Sequence, residues 1–126
     1  MKSILTASLL SVVIIVGGIL YSSKTDRFAA QLLEKNNEIY DFLTNDNYEA
    51  AQKLVASSSE YLKKYSTALQ ATGDHSEITQ LEINLTELGE YIKAEQKADA
   101  LAKSSSLNIL IRTIPINYKM KLENIL

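Results

Sequence analysis

The sequence predicts an all-α protein: an N-terminal transmembrane helix followed by an antiparallel up-down bundle of about four helices. Three features point that way. The run from Ile4 to Tyr21 carries no charge. Beyond it, apolar residues recur at spacings of three and four, the period of a helix face. Four Gly and one Pro in 126 residues are too few for the turns of a β or loop-rich fold. The chain divides into residues 1–23, an anchor or signal peptide, and residues 24–126, a helical bundle domain. Its near-zero mean hydropathy averages two unlike parts.

At 1.5 Å per residue the uncharged run makes a helix of about 27 Å, close to the ~30 Å hydrocarbon core of a bilayer. Thr6, Ser8 and Ser11 are able to return their hydroxyls to the backbone, and Gly17 with Gly18 suits a lipid helix better than a soluble one. Tyr21 stands where an interfacial aromatic belongs. A cleaved signal peptide is the competing reading, because Lys2, an apolar stretch and then polar residues follow the same order. Against it, no A-x-A closes the run. Basic residues flank both sides, with Lys2 before and Lys24 and Arg27 after. A very short basic leader is nonetheless the usual start of a signal anchor that leaves the carboxyl-terminal body outside the cytoplasm.

Phe28, Leu32, Ile39 and Leu43 form the stripe of the next helix, with Thr25 as an N-cap or the helix continuing from the membrane. Thr44-Asn45-Asp46-Asn47 ends it, and Asn45 or Asp46 caps a second helix bearing Tyr48, Ala51, Leu54, Val55, Ser58, Tyr61, Leu62, Tyr65 and Leu69. Gly73 is the expected stop. Asp74-His75-Ser76-Glu77 then fits a capping box. The third helix has a heptad seam in Ile78, Leu81, Leu85, Leu88 and Ile92. A fourth runs from about Gln96 through Leu101, Leu107, Ile111, Ile114 and Tyr118 and is expected to kink or break at Pro115. Acids dominate the third helix and bases the end of the fourth, which favours their antiparallel docking. Because Ile109, Leu110 and Ile116 make the fourth helix apolar on more than one side, the stretch from Leu107 to Ile116 is either central to the bundle or a partner surface.

No cysteine is present, which excludes disulfides and thiolate metal sites. A net charge of −2 gives no footprint for nucleic acid. His75 is the only histidine, and one imidazole with scattered carboxylates makes no metal set. No nucleophile, base and orienting group stand at a recognisable spacing. No cofactor, metal or catalytic residue is therefore expected. The serine runs 57–59 and 104–106 in the second and fourth helices have no account from sequence alone.

A short apolar anchor, the start His75-Ser76-Glu77-Ile78 and the ending Leu122-Glu123-Asn124-Ile125-Leu126 resemble an uncharacterised family of small membrane-anchored helical domains in anaerobic and spore-forming Gram-positive bacteria. Tyr48 and Tyr61 stand where that family would have tryptophan. The resemblance implies no known activity. It implies a partner, since such proteins are often encoded beside a YetF-like membrane protein, and it marks His75, Glu77 and Asn124 as motif positions with a structural role.

The expected function is a single-span accessory or scaffold, not an enzyme. It would meet the bilayer through residues 4–21 and a membrane protein, or a second copy of itself, through Leu107, Leu110, Ile111 and Ile114. The rival reading is an extracytoplasmic binding module for a small ligand or envelope component.

Overall fold

A computed structural model describes the backbone over residues 2–69 and 76–125 and the side chains over 4–16, 26–67 and 76–114. Among the described residues there are four helices and no strand: α1 (Lys2–Thr44), α2 (Tyr48–Leu69), α3 (Ser76–Lys93) and α4 (Lys97–Ile125). α1 packs on α2 and α4, and α3 packs on α2 and α4, whereas among the described residues the backbones of the diagonal pairs stay more than 8 Å apart between Cα atoms. The result is a square up-down bundle with successive helices antiparallel.

α1 is one helix of 43 residues, about 65 Å long. It passes through Thr25 without a cap, so the apolar N-terminal run and the first bundle helix are continuous. α4 likewise runs through Pro115 to Ile125, so the expected break does not occur. A kink there lies outside the described side chains, as do Gly73, Asp74 and the proposed capping box.

The core follows the sequence stripes. Phe28, Leu32, Ile39 and Leu43 of α1, Ala51, Val55 and Leu62 of α2, all five seam residues of α3, and Ala100, Leu107, Ile111 and Ile114 of α4 are buried. Leu107, Ile111 and Ile114 thus belong to the core and present no partner surface. α4 lies between α1 and α3 and must be apolar toward both. Only Leu110 of that expected set stays half-buried.

Both described turns use the same device. Asp46, at a φ of 58°, and Glu95, at 54°, take the left-handed conformation just past a helix end. The Asp46 N–H donates to the Leu43 carbonyl (3.1 Å) and the Asn47 N–H to the Phe42 carbonyl (2.8 Å). The Glu95 N–H donates to Ile92 (3.0 Å) and the Gln96 N–H to Tyr91 (2.9 Å). These are Schellman closures. The next residue then starts the following helix, Asn47 Oδ1 accepting from the Ala50 N–H at 3.2 Å. The α2 cap is therefore Asn47 and not Asn45 or Asp46, because Asp46 is committed to the left-handed position.

The likeness extends beyond the turns. Nine buried positions in the α1–α2 hairpin (29, 32, 36, 39, 43, 51, 55, 58 and 62) each have a buried counterpart 49 residues later in the α3–α4 hairpin (78, 81, 85, 88, 92, 100, 104, 107 and 111). The two hairpins thus share one burial pattern offset by 49 residues, the correspondence a pseudo-twofold would give. One side chain ties the copies together at the turn end. Lys97 Nζ lies 3.0 Å from Asp46 Oδ1 and 3.4 Å from the Thr44 carbonyl, the last of α1, where a cation is favoured. Lys103 pairs with Glu87 at 2.6 Å across α3 and α4, as the opposed charges of those helices led one to expect.

At the other end of the α1–α2 pair, Phe28 stacks on Tyr65 at 3.7 Å and on Tyr61 at 5.3 Å between ring centroids. Burial pushes the Tyr61 phenol above its ordinary pKa of 10.0.

Two outcomes follow. Glu95→Gly should raise stability by about 1 kcal/mol, since a non-glycine left-handed residue is strained. Asp46→Gly should gain less, because Asp tolerates that conformation and Asp46 holds Lys97. Urea denaturation of both variants, followed by circular dichroism, checks the order. Because the Tyr61 pKa is raised in the folded state, its contribution is present below the unfolded pKa and is lost as pH rises through the folded one. Tyr61→Phe should therefore flatten the alkaline fall in melting temperature above about pH 10.

Candidate functional site

The described helices are cleft where the two hairpins differ. On the α1/α4 face an open cleft of about 330 Å³ is lined by Asn36, Asn37, Tyr40, Ser104, Ser105 and Asn108. Asn36 occupies a core position of α1 and is 4% exposed, and Ser104 on α4 is 1% exposed. They satisfy each other: Asn36 Nδ2 donates to the Ser104 carbonyl at 2.8 Å, and Ser104 Oγ donates to Asn36 Oδ1 at 3.1 Å. One turn outward, Asn108 Nδ2 donates to Asn37 Oδ1 at 3.0 Å. No carboxylate, imidazole or cationic side chain lines this cleft; Tyr40, half-open to solvent, is its one ring.

The pseudo-twofold shows what the fold alone requires here. On the counterpart α2/α3 face, Leu85 and Val55 stand in place of Asn36 and Ser104, and Gly89 stands in place of Tyr40. A Cβ on Gly89 would lie 3.5 Å from Val55 Cγ1, so α2 and α3 close against each other at this level. Their own hollow is nearer the far end, with Lys63 and Glu82 in its wall.

A second cleft, about 170 Å³, lies between α3 and α4 and is lined by Glu77, Gln80, Leu110 and Thr113 among others. Its counterpart in the first hairpin is filled by the Phe28, Tyr61 and Tyr65 rings. Glu77, Leu110 and Ile114 are too small or too polar to fill the same volume.

Of the residues singled out from sequence, Glu77 is half-buried and Leu110 stands beside it in this second cleft. His75 lies outside the described residues, and Asn124 is in α4 with its side chain outside them. Among the described residues no three His, Asp or Glu side chains gather as metal ligands would. The serine runs now have a partial account: Ser58 and Ser104 are the members facing the core, and Ser57 Oγ accepts from Lys35 Nζ at 2.9 Å. Sequence reasoning missed Asn36, whose signal was a polar residue interrupting the α1 stripe between Leu32 and Ile39.

Among the described residues no helix is long and apolar enough to cross a membrane. The expected span Ile4–Tyr21 runs past the described side chains, which stop at Val16. Over 4–16 every residue is exposed, with Ile4 at 70% and Ile15 at 53%.

Fold and clefts together define a small all-helical protein made of two like hairpins, the first helix extended by an uncovered apolar end. The chain belongs to the family described as Domain of unknown function (DUF4363), which matches residues 19–125. No curated protein matches it in sequence and no solved structure matches it.

The polar pair yields a prediction of its own. Copying Leu85 and Val55 of the α2/α3 interface onto the α1/α4 interface, with Asn36→Leu and Ser104→Val together, should stabilise the bundle by about 1–2 kcal/mol, because a satisfied buried polar pair often gives way to apolar packing at a gain. Ser104→Ala alone should destabilise by about 1 kcal/mol by stripping Asn36 of its donor. Thermal melts of the three proteins decide this.

Proposed function

We propose that this chain is a single-span membrane protein whose helical body serves as an accessory or scaffold for another membrane protein at the extracytoplasmic face, without catalysis. One observation carries the reading. Residues 4–16 form an uncharged helix exposed on every side, an arrangement that costs heavily in water and is favourable in lipid. No other part of the described chain covers it.

The helical continuity of α1 supports retention of this segment over removal as a signal peptide, since the same helix supplies Phe28, Leu32, Ile39 and Leu43 to the core. The short leader with Lys2 supports the orientation with the amino terminus inside. With Leu107, Ile111 and Ile114 committed to the core, the partner contact falls to the membrane helix and the polar faces of the body. A YetF-like membrane protein, or a second copy of this chain, is the partner that the family resemblance suggests. The α1/α4 cleft favours the second reading, a binding module for a small ligand or envelope component, and the two roles are compatible in one chain.

Leu10→Lys with Ile14→Lys should release the protein from alkali-washed membranes, each charge near the bilayer centre costing about 2.5–3.5 kcal/mol. If the double variant stays in the membrane fraction, residues 4–21 are not the anchor. A carboxyl-terminal tag should be lost when intact cells are treated with protease; its survival reverses the orientation. Purification in mild detergent that yields a monomer with no membrane protein bound removes the scaffold role.

A further inference from the structure

The walls of the α1/α4 cleft exclude most ligand classes. An anion or cation would be desolvated against a lining with no charged group to meet it. An apolar ligand would strand the amides of Asn37 and Asn108 and the hydroxyl of Ser105. What remains is an uncharged ligand rich in hydrogen-bonding groups.

Two rim carboxamides are suited to such a ligand. Asn37 and Asn108 share one bond, from Nδ2 of Asn108 to Oδ1 of Asn37. That bond engages one Nδ2 proton of Asn108 and the Oδ1 of Asn37, and the Asn37 Nδ2 donors and the Asn108 Oδ1 acceptor take no part in it. A vicinal pair of hydroxyls both donates and accepts, and so complements this array. Tyr40, 39% exposed at the cleft edge, adds a ring face able to pack against a flat array of C–H groups. The volume of about 330 Å³ is at the small end of the about 300–1,000 Å³ range of ligand sites. An extended peptide also presents neutral amides, and it is the competing occupant that the test below separates from a sugar.

The α2/α3 interface, counterpart of the α1/α4 interface, supplies an independent observation. At the equivalent level it closes with Leu85, Val55 and Gly89. The opening beside Asn36 and Ser104 therefore has no counterpart at the core level of the α2/α3 face, and the hollow that face does carry, lined by Ser59 and Thr86, takes the charged Lys63 and Glu82 into its wall, so the uncharged lining is confined to one of two like interfaces.

We propose that the α1/α4 cleft is a binding site for an uncharged saccharide of one or two rings, with Asn37 and Asn108 bonding its hydroxyls and Tyr40 packing on a ring face. The site stands on its own geometry and does not depend on the membrane reading.

The test uses the full chain, ¹⁵N-labelled in detergent micelles, with three neutral disaccharides as probes: di-N-acetylchitobiose, cellobiose and maltose. N-acetyl-trialanine amide is the peptide arm. At least one disaccharide should shift the side-chain amide signals of Asn37 and Asn108 saturably in the millimolar range. Tyr40→Ala, and Asn37→Ala with Asn108→Ala, should each weaken that binding by at least about tenfold. Ser59→Ala on α2 should leave it unchanged. Asn37 and Tyr40 are exposed and Asn108 and Ser59 half-buried, and unchanged helical circular dichroism shows that the variants fold. No saturable shift with any of the three sugars up to about 50 mM, a shift that survives either cleft variant, or a response to the peptide alone overturns the proposal.

Discussion

The contact between α1 and α4 closes this bundle. Each hairpin is local, joined by three residues between helices, but the ring of four becomes a bundle only when the first helix docks on the last. That docking brings together the residues most distant in sequence, and its loop-closure cost must be met by apolar burial along the whole seam. Burial alone does not choose one register, since apolar side chains tolerate sliding by a turn. Polar contacts at successive levels choose it here: Lys97 on Asp46 and the Thr44 carbonyl at the turns, Asn36 on Ser104 in the core, and Asn37 on Asn108 at the rim. A shift of one turn would unpair all of them at once, leaving buried Asn36 and Ser104 unsatisfied.

The pseudo-twofold gives each of these features a built-in comparison. Where the two hairpins agree, the structure is a plain core: Leu32 with Leu81, Ile39 with Leu88, Leu43 with Ile92, Ala51 with Ala100. Where they differ, a cleft opens or a stack fills it. Phe28, Tyr61 and Tyr65 correspond to Glu77, Leu110 and Ile114, and the volume of the three rings reappears as the α3/α4 cleft. Leu85, Val55 and Gly89 correspond to Asn36, Ser104 and Tyr40, and the close approach at Gly89 reappears as the α1/α4 cleft. The clefts are thus consequences of side-chain volume on a shared backbone plan, not of irregular backbone.

Helix number, order and nearly all core positions were legible in the sequence, because a 3.6-residue period with apolar spacing of three and four survives any local irregularity. The α3 seam is the clearest case: all five of its residues are buried. The turns were only half legible. Asn45-Asp46-Asn47 announces a turn, but which member takes the positive φ and which caps α2 depends on the Schellman bonds back to Phe42 and Leu43. The duplication was invisible because only Leu32/Leu81 and Ala51/Ala100 are identical among the nine buried pairs. The α1/α4 cleft was invisible for a related reason. Its residues come from helices at opposite ends of the chain, and no local spacing relates Asn37 to Asn108. The apolar stretch 107–114 was ambiguous by its nature, since a helix flanked on two sides by its own chain and a helix awaiting a partner have the same composition.

α1 joins the two proposed roles mechanically. It carries the exposed apolar segment 4–16 and, on the same unbroken helix, Asn36, Asn37 and Tyr40. Between Tyr21 and those residues lie 15 to 19 helical steps, or about 22–29 Å. With residues 4–21 in the bilayer, the cleft is therefore held at a set height above the membrane surface and at a set rotation about the α1 axis. No flexible linker intervenes to average that placement. A tethered domain would sample many orientations and present its cleft to any of them. A domain whose membrane helix is also its core helix presents the cleft in one direction, which suits a target that is itself fixed relative to the membrane. The same rigidity runs the other way: a partner that turns or tilts the membrane helix must move the α1 wall of the cleft, because Asn36 and the apolar segment share one helical backbone.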